Sequence, residues 1–228
     1  MTAVRTVLRG TGQLFITAGI VILLVVVYEL EVTNIYTAHA QDQLRDDLVR
    51  QWAEPAPTPV ATRSGQPVTV QPVPLGEGLA VLRIPRLGRG YAKVVVEGVA
   101  TADLKKGPGH YPGTALPGQV GNVVISGHRT TYGAPFNRLD ELRPGDPVVL
   151  ETRDMWFVYR VRSQQVVAPS DIAVTYPVPG QPAARPAERL LTFTTCNPKY
   201  SARQRLVVLS ALTGSRPKTA GPPAELGG

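Results

Sequence analysis

Hydrophobic and polar positions follow four different rhythms along the chain. Residues 11–28 carry no charge, and residues 14–27 are almost purely apolar. Eighteen residues at about 1.5 Å each span roughly 27 Å, enough for a bilayer core. No polar face interrupts this run, so it predicts a membrane-crossing helix over residues 11–30 rather than an amphipathic core helix. In residues 31–53 the spacing of Ile35, Leu44, Leu48 and Trp52 among Asp and Gln is roughly helical. This predicts a juxtamembrane helical stalk, solvated on most sides. Residues 54–77 hold six prolines and predict an extended spacer. From residue 78 the pattern becomes short β-rich runs separated by Pro, Gly and Asp. The runs are 79–84, 92–97, 122–126, 147–151, 156–167, 190–195 and 206–212, with one weak helix near 134–142. Seven or eight short strands with little helix indicate an all-β barrel or sandwich over residues 78–213. Residues 214–228, rich in Gly and Pro, read as a disordered tail.

The charges flanking the apolar run orient it. Arg5 and Arg9 precede it, while Glu29 and Glu31 follow. The basic flank, residues 1–10, is expected in the cytoplasm, with everything after the span outside. A cleaved signal peptide is the competing reading, because Ala38-His39-Ala40 has the small-x-small form. That site begins ten residues beyond Tyr28 and past two glutamates, which favours an uncleaved anchor.

Composition narrows the function classes. Net charge is +7, yet no basic run exceeds Lys105-Lys106 and aromatics are not interleaved with the arginines. Nucleic acid is therefore not an expected partner. One cysteine allows neither an intramolecular disulfide nor a Cys-based zinc cage, and no metal or cofactor is expected.

That cysteine is the first candidate for chemistry. A free cysteine is often a small buried hydrophobe. Cys196, however, ends a strand and precedes Asn197-Pro198, which places it at a sheet rim where ligands reach. Attack on an acyl carbon needs a proton manager with a pKa near neutral, which imidazole supplies. His39 lies in the stalk and His110 in a Gly/Pro loop. His128 follows the strand 122–126 through a glycine, and is the choice. Arg203 and Arg205 follow the cysteine. If the strands around residues 197–204 form a hairpin, Cys196 and Arg205 face each other, and the guanidinium can stabilise an oxyanion. Arg203 then lies in the loop and is solvated.

Together these residues resemble the sortase family: an anchor, a Pro-rich spacer, a small β domain, Gly127-His128-Arg129 after a strand, and Leu191-Thr192-Phe193-Thr194-Thr195-Cys196 with an arginine nine residues on. The likeness covers about residues 79–212. Stretches 107–115, 127–137 and 196–208 look most like class E sortases of high-GC Gram-positive bacteria. The resemblance implies an eight-stranded β-barrel and a membrane-anchored cysteine transpeptidase. It implies Cys196 as nucleophile, His128 as proton manager and Arg205 as oxyanion and substrate arginine, with Tyr111 and Thr195 as substrate-contacting residues. Phe193 stands where the family usually has a smaller aliphatic residue. It alternates away from Cys196, so it reads as a packing change. The implied partners are secreted proteins bearing a C-terminal sorting signal, cut between Thr and Gly, and a peptidoglycan-precursor amine. Leu-Ala-x-Thr-Gly is the implied signal, with Leu-Pro-x-Thr-Gly as the alternative.

Two rivals remain at this level. One is another envelope cysteine acyl hydrolase. Papain-like peptidases usually place Cys before His, and L,D-transpeptidases carry a Ser-x-Gly-Cys-type segment, whereas here His128 precedes Thr194-Thr195-Cys196-Asn197. The other is a non-catalytic, tethered β domain that binds wall polymer.

Overall fold

The computed structural model describes residues 2–54 and 70–227. Most of the Pro-rich spacer, residues 55–69, lies outside the described residues. The rest is a closed eight-stranded barrel preceded by a long helix. The strands are β1 (Gly78–Arg83), β2 (Ala92–Glu97), β3 (Gly109–His110), β4 (Gly121–Ser126), β5 (Pro147–Glu151), β6 (Met155–Val167), β7 (Arg189–Asn197) and β8 (Gln204–Pro217). Their order around the barrel is β1-β2-β3-β4-β7-β8-β6-β5. Inward-facing residues from the strands, including Leu82, Val95, Ile125, Leu150, Tyr159, Leu191, Phe193 and Val208, fill the interior. Each such side chain contributes about 1.5–3 kcal/mol by leaving water.

Two pairings position the site. β4 and β7 are parallel neighbours, with Ser126 opposite Thr194. Their carboxyl ends therefore emerge side by side. β7 and β8 are antiparallel, with Cys196 opposite Arg205, so the expected hairpin register is present. Only β3, two residues long, has no counterpart among the runs read from the sequence. The weak helix near 134–142 is a loop containing a 3-10 turn at Leu139–Glu141.

Helix α1 (Thr2–Val27) passes through a π-helical segment, Tyr28–Val32, into α2 (Thr33–Ala53). Ala3–Val27 is long and apolar enough to cross a membrane, and none of it is buried against the barrel. α2 departs from the expected solvated stalk. Leu44 and Leu48 pack on Val81, Val94 and Val96, on the outer face of β1 and β2. β2 pairs with β3 only at Val96 and Glu97, which leaves Val94 at an unpaired edge. Gln41 takes the missing strand's place there. Its amide oxygen accepts from Val94 N–H at 2.8 Å, and its Nε2 donates to the carbonyls of Val94 and Lys106 at 3.0 and 2.9 Å. Gly107 makes this approach possible, since a Cβ there would collide with the Gln41 amide.

The expected disordered tail is also corrected. β8 runs on to Pro217, with Gly214 opposite Val158 and Pro217 opposite Met155. Backbone pairing needs no side chain, so Gly and Ser extend the strand. Beyond it, the Lys218 ammonium bonds Glu151 at 2.8 Å and lies 4.1 Å from the Trp52 ring centre, tying α2 to the barrel. Arg160 and Glu225 pair at 3.0 Å, and Leu226 packs on the cluster of Val149, Trp156 and Val158.

Candidate active site

The site forms where β4, β7 and β8 end together. Cys196, half-buried, closes β7, and His128 stands two residues past β4. Gly127 between them continues the ladder, donating to Thr194 O at 3.2 Å. No side chain fits at this position, because a Cβ would lie 2.7 Å from Cδ2 of Phe136, itself fully buried against Phe193 at 5.3 Å. Phe193 thus packs inside the barrel, on the face away from Cys196.

Two side chains lock the histidine loop to the cysteine strand. Thr195 is buried, and its hydroxyl donates to Gly127 O at 2.7 Å. That bond ties the end of β7 to the residue before His128. Arg129 is 4% exposed. Its Nη1 donates to Cys196 O at 3.3 Å, its Nε to Asn137 O at 3.0 Å, and its Nη2 pairs with Asp140 at 3.1 Å. Asn137 returns a bond to Arg129 O at 2.9 Å. Arg129 lay within the quoted motif without a role; its three bonds hold the loop after His128 against the backbone of Cys196.

The imidazole is partly buried. The Tyr132 ring lies 5.0 Å from it, and the Lys105 ammonium lies 5.4 Å from the Tyr132 ring. Burial first, and the Lys105 charge second, hold the His128 pKa below the ordinary imidazole value. Its Nε2 is buried and has no hydrogen-bond partner among the described residues. A polar atom left unpaired costs stability, and such costs concentrate where reacting atoms are received.

Cys196 and His128 line one cleft of about 550 Å³, with Thr130, Thr131, Tyr200, Ser201 and Ala202. Val25, Val26 and Glu29, from the end of the apolar helix and the π segment, form its remaining wall. A smaller cavity of about 140 Å³, between Trp52 and Leu79, contains no nucleophile. Arg205 faces Cys196 across the hairpin but does not line the cleft. Its Nη1 donates to the carbonyls of Ala202 and Gln204 at 2.9 and 3.0 Å. Arg203 is exposed in the loop, as expected.

The other candidates lie elsewhere. His110 is buried in β3, its Nδ1 2.7 Å from Glu97 and its Nε2 donating to Ala115 O at 3.0 Å, which leaves it no free nitrogen for Cys196. His39 is exposed on α2. Tyr111 begins the loop after β3, where its carbonyl accepts from Thr114; it is half-buried and outside the cleft.

Comparison with known proteins places the chain by family and fold. A sortase-domain family profile matches residues 82–213. Sortase SrtE1 of Streptomyces coelicolor is 37% identical over 227 residues, covering 96% of this chain; the chain spans 60% of that relative's length. Sortase SrtE2 of the same organism is 32% identical, over 94% of this chain and 86% of its own. The solved structure of sortase E from Streptomyces avermitilis superposes with a TM-score of 0.62 at 42% identity, over 68% of this chain and 99% of that one. A profile match over more than half of the chain, and relatives above 30% identity along nearly all of it, show that the chain belongs to the sortase family.

Proposed function

We propose that the protein is a membrane-anchored cysteine transpeptidase that joins secreted proteins to the cell wall. The observation that carries this is the placement of Cys196 and His128 at the same end of parallel β4 and β7, with Arg205 opposite the cysteine. In this reading α1 spans the membrane, residues 1–10 stay inside, and the barrel stands outside.

The proton inventory follows from the site. His128 is neutral at pH 7, since its pKa is pushed down. It takes the thiol proton as Sγ attacks the Thr carbonyl of the sorting signal. The Arg205 guanidinium stabilises the oxyanion. On collapse, the imidazolium gives its proton to the leaving Gly amine, and a thioacyl enzyme remains. An incoming wall-precursor amine attacks the thioester, loses a proton to His128, and regenerates the thiol. The acyl bond energy is conserved, so no nucleotide is consumed.

A pH expectation follows. The acid limb of kcat/KM should fall below pH about 6.5, the ordinary imidazole value, because burial and Lys105 both oppose the charged ring. The check is a pH–rate profile of peptide cleavage; an acid limb centred above that value contradicts a buried neutral His128.

Signal choice rests on the likeness to class E sortases and points to Leu-Ala-x-Thr-Gly. Tyr111 is the proposed reader, because alanine in place of proline offers an additional backbone N–H that a phenol oxygen can accept. Its loop is held by His110 and Thr114, which keeps the ring from wandering. Tyr111→Phe should narrow the alanine-over-proline ratio in kcat/KM by about 1 kcal/mol, one net hydrogen bond. An unchanged ratio in the mutant moves recognition to another part of the groove.

The experiment that separates transfer from hydrolysis supplies a signal peptide with and without an amine acceptor. Transfer gives a joined product that grows with acceptor concentration. Hydrolysis alone, at every acceptor concentration, would instead favour an acyl hydrolase.

A further inference from the structure

The loop after His128 holds three consecutive residues at positive φ: Tyr132 at 51°, Gly133 at 70° and Ala134 at 40°. Such a backbone is unfavourable for tyrosine and alanine, and persists only where surroundings over-determine it. Ala134 N–H is satisfied within the loop by Thr131 O at 2.9 Å. The N–H groups of Tyr132 and Gly133 go instead to the first turn of α2. Tyr132 N–H is accepted by Thr33 Oγ1 at 3.4 Å, and Gly133 N–H by Asn34 Oδ1 at 2.8 Å.

The contact is a packed one. Thr33 and Thr37 are both buried. A Cβ at Gly133 would lie 3.1 Å from Thr37 Cγ2, so helix and turn touch. Thr37 Oγ1 also donates to Lys105 O at 2.7 Å, fixing the end of α3 (Thr101–Lys106). Lys105 and Tyr132 are the neighbours that set the environment of His128. One helix turn therefore holds both. One turn further toward the N-terminus, Val25, Val26 and Glu29 wall the cleft itself.

We propose that Thr33 and Asn34 are positioning residues of the active site: they hold the Tyr132–Ala134 turn, and through the Tyr132 ring the imidazole of His128, so that turnover depends on the N-terminal helix being docked on the barrel. The inference rests on His128 as the proton-transferring group. It assigns the helix a task beyond tethering. A barrel lacking residues 1–53 keeps Cys196, His128 and Arg205 but leaves two N–H groups of a strained turn without their acceptors.

The groups facing His128 are Lys105 from α3, Glu29 from the π segment, Cys196 from β7, Tyr200 from the β7–β8 loop, and Arg129 and Tyr132 from its own loop. None of these changes in the variants proposed. The full chain in lipid nanodiscs would be compared with Thr33→Val/Asn34→Leu, which removes both acceptor oxygens, and with Thr33→Ser/Asn34→Asp, which keeps them. Two readouts are taken: kcat and KM with a Leu-Ala-x-Thr-Gly peptide, and the pH profile of Cys196 alkylation by iodoacetamide, which needs no substrate. In the Val/Leu variant kcat should fall about tenfold with KM within twofold, because neither Thr33 nor Asn34 lines the cleft. Its alkylation profile should move toward lower pH, because a rehydrated, more basic His128 is more often the imidazolium that favours the reactive thiolate. The Ser/Asp variant should recover kcat to within twofold. An unchanged alkylation profile in the Val/Leu variant overturns the inference, as does a Ser/Asp variant as slow as the Val/Leu one. If the wild type alkylates at Cys196 yet never reacts with the peptide, the sortase substrate reading fails, while the alkylation profiles still decide the role of Thr33 and Asn34.

Discussion

Cys196→Ala should lower the rate of signal-peptide cleavage by at least about 10⁴-fold, as expected when a covalent nucleophile is lost. The barrel should survive the change. Cys196 is half-buried at the end of β7, outside the residues that fill the interior, and its backbone bonds to Arg205 and Arg129 do not use the sulfur. The thermal midpoint should therefore stay within a few degrees of wild type. Loss of activity with loss of fold would mean that Cys196 is a packing residue, which its place at the cleft wall argues against.

Arg205→Ala should cost about 10² to 10³ in kcat, the size of one lost oxyanion donor. Nη1 is already committed to the carbonyls of Ala202 and Gln204, which fixes the guanidinium plane. Nε and Nη2 have no protein partner among the described residues, so the proposed oxyanion contact would fall to them. Arg205→Lys should recover little, because an ammonium cannot both bond the loop carbonyls and present a second, rigidly placed donor. Arg203→Ala should change kcat less than about twofold, since that side chain is exposed in the loop. Steady-state kinetics on the three variants checks the ordering; an essential Arg203 with a dispensable Arg205 contradicts the β7–β8 register as the basis of catalysis.

The strands that build the barrel were legible because they are short, nearly continuous apolar runs bounded by Gly, Pro or Asp; the run at 147–151 coincides with β5. β3 was not legible, since two residues carry no period, and its Gly109–His110 pairing with β2 and β4 is a backbone matter. The α2 docking was missed for a different reason. Part of its docked face is buried Thr33 and Thr37 and half-buried Gln41, polar residues that bond backbone groups, whereas Ile35 is exposed. Apolar periodicity cannot register such a face. The ordered tail was missed because Gly and Pro composition marks loops on average, and β8 continues through Gly214 by pairing alone. The strand-end positions of Cys196, His128 and Arg205 were legible from the apolar runs beside them and the hairpin spacing. Tyr132 was not, because its place beside His128 comes from a positive-φ turn with no sequence signal, and Arg129 and Lys105 were not, because their effects depend on tertiary contacts.

The most direct test of the account is the intact mass of the full chain after exposure to a Leu-Ala-x-Thr-Gly peptide in the absence of any amine acceptor. The account predicts an added mass equal to the peptide through its threonine less one water, carried on Cys196 as a thioester, released by hydroxylamine, and absent from Cys196→Ala. A wild-type protein that gains no mass from either the alanine or the proline signal, or an adduct that persists in Cys196→Ala, would contradict it.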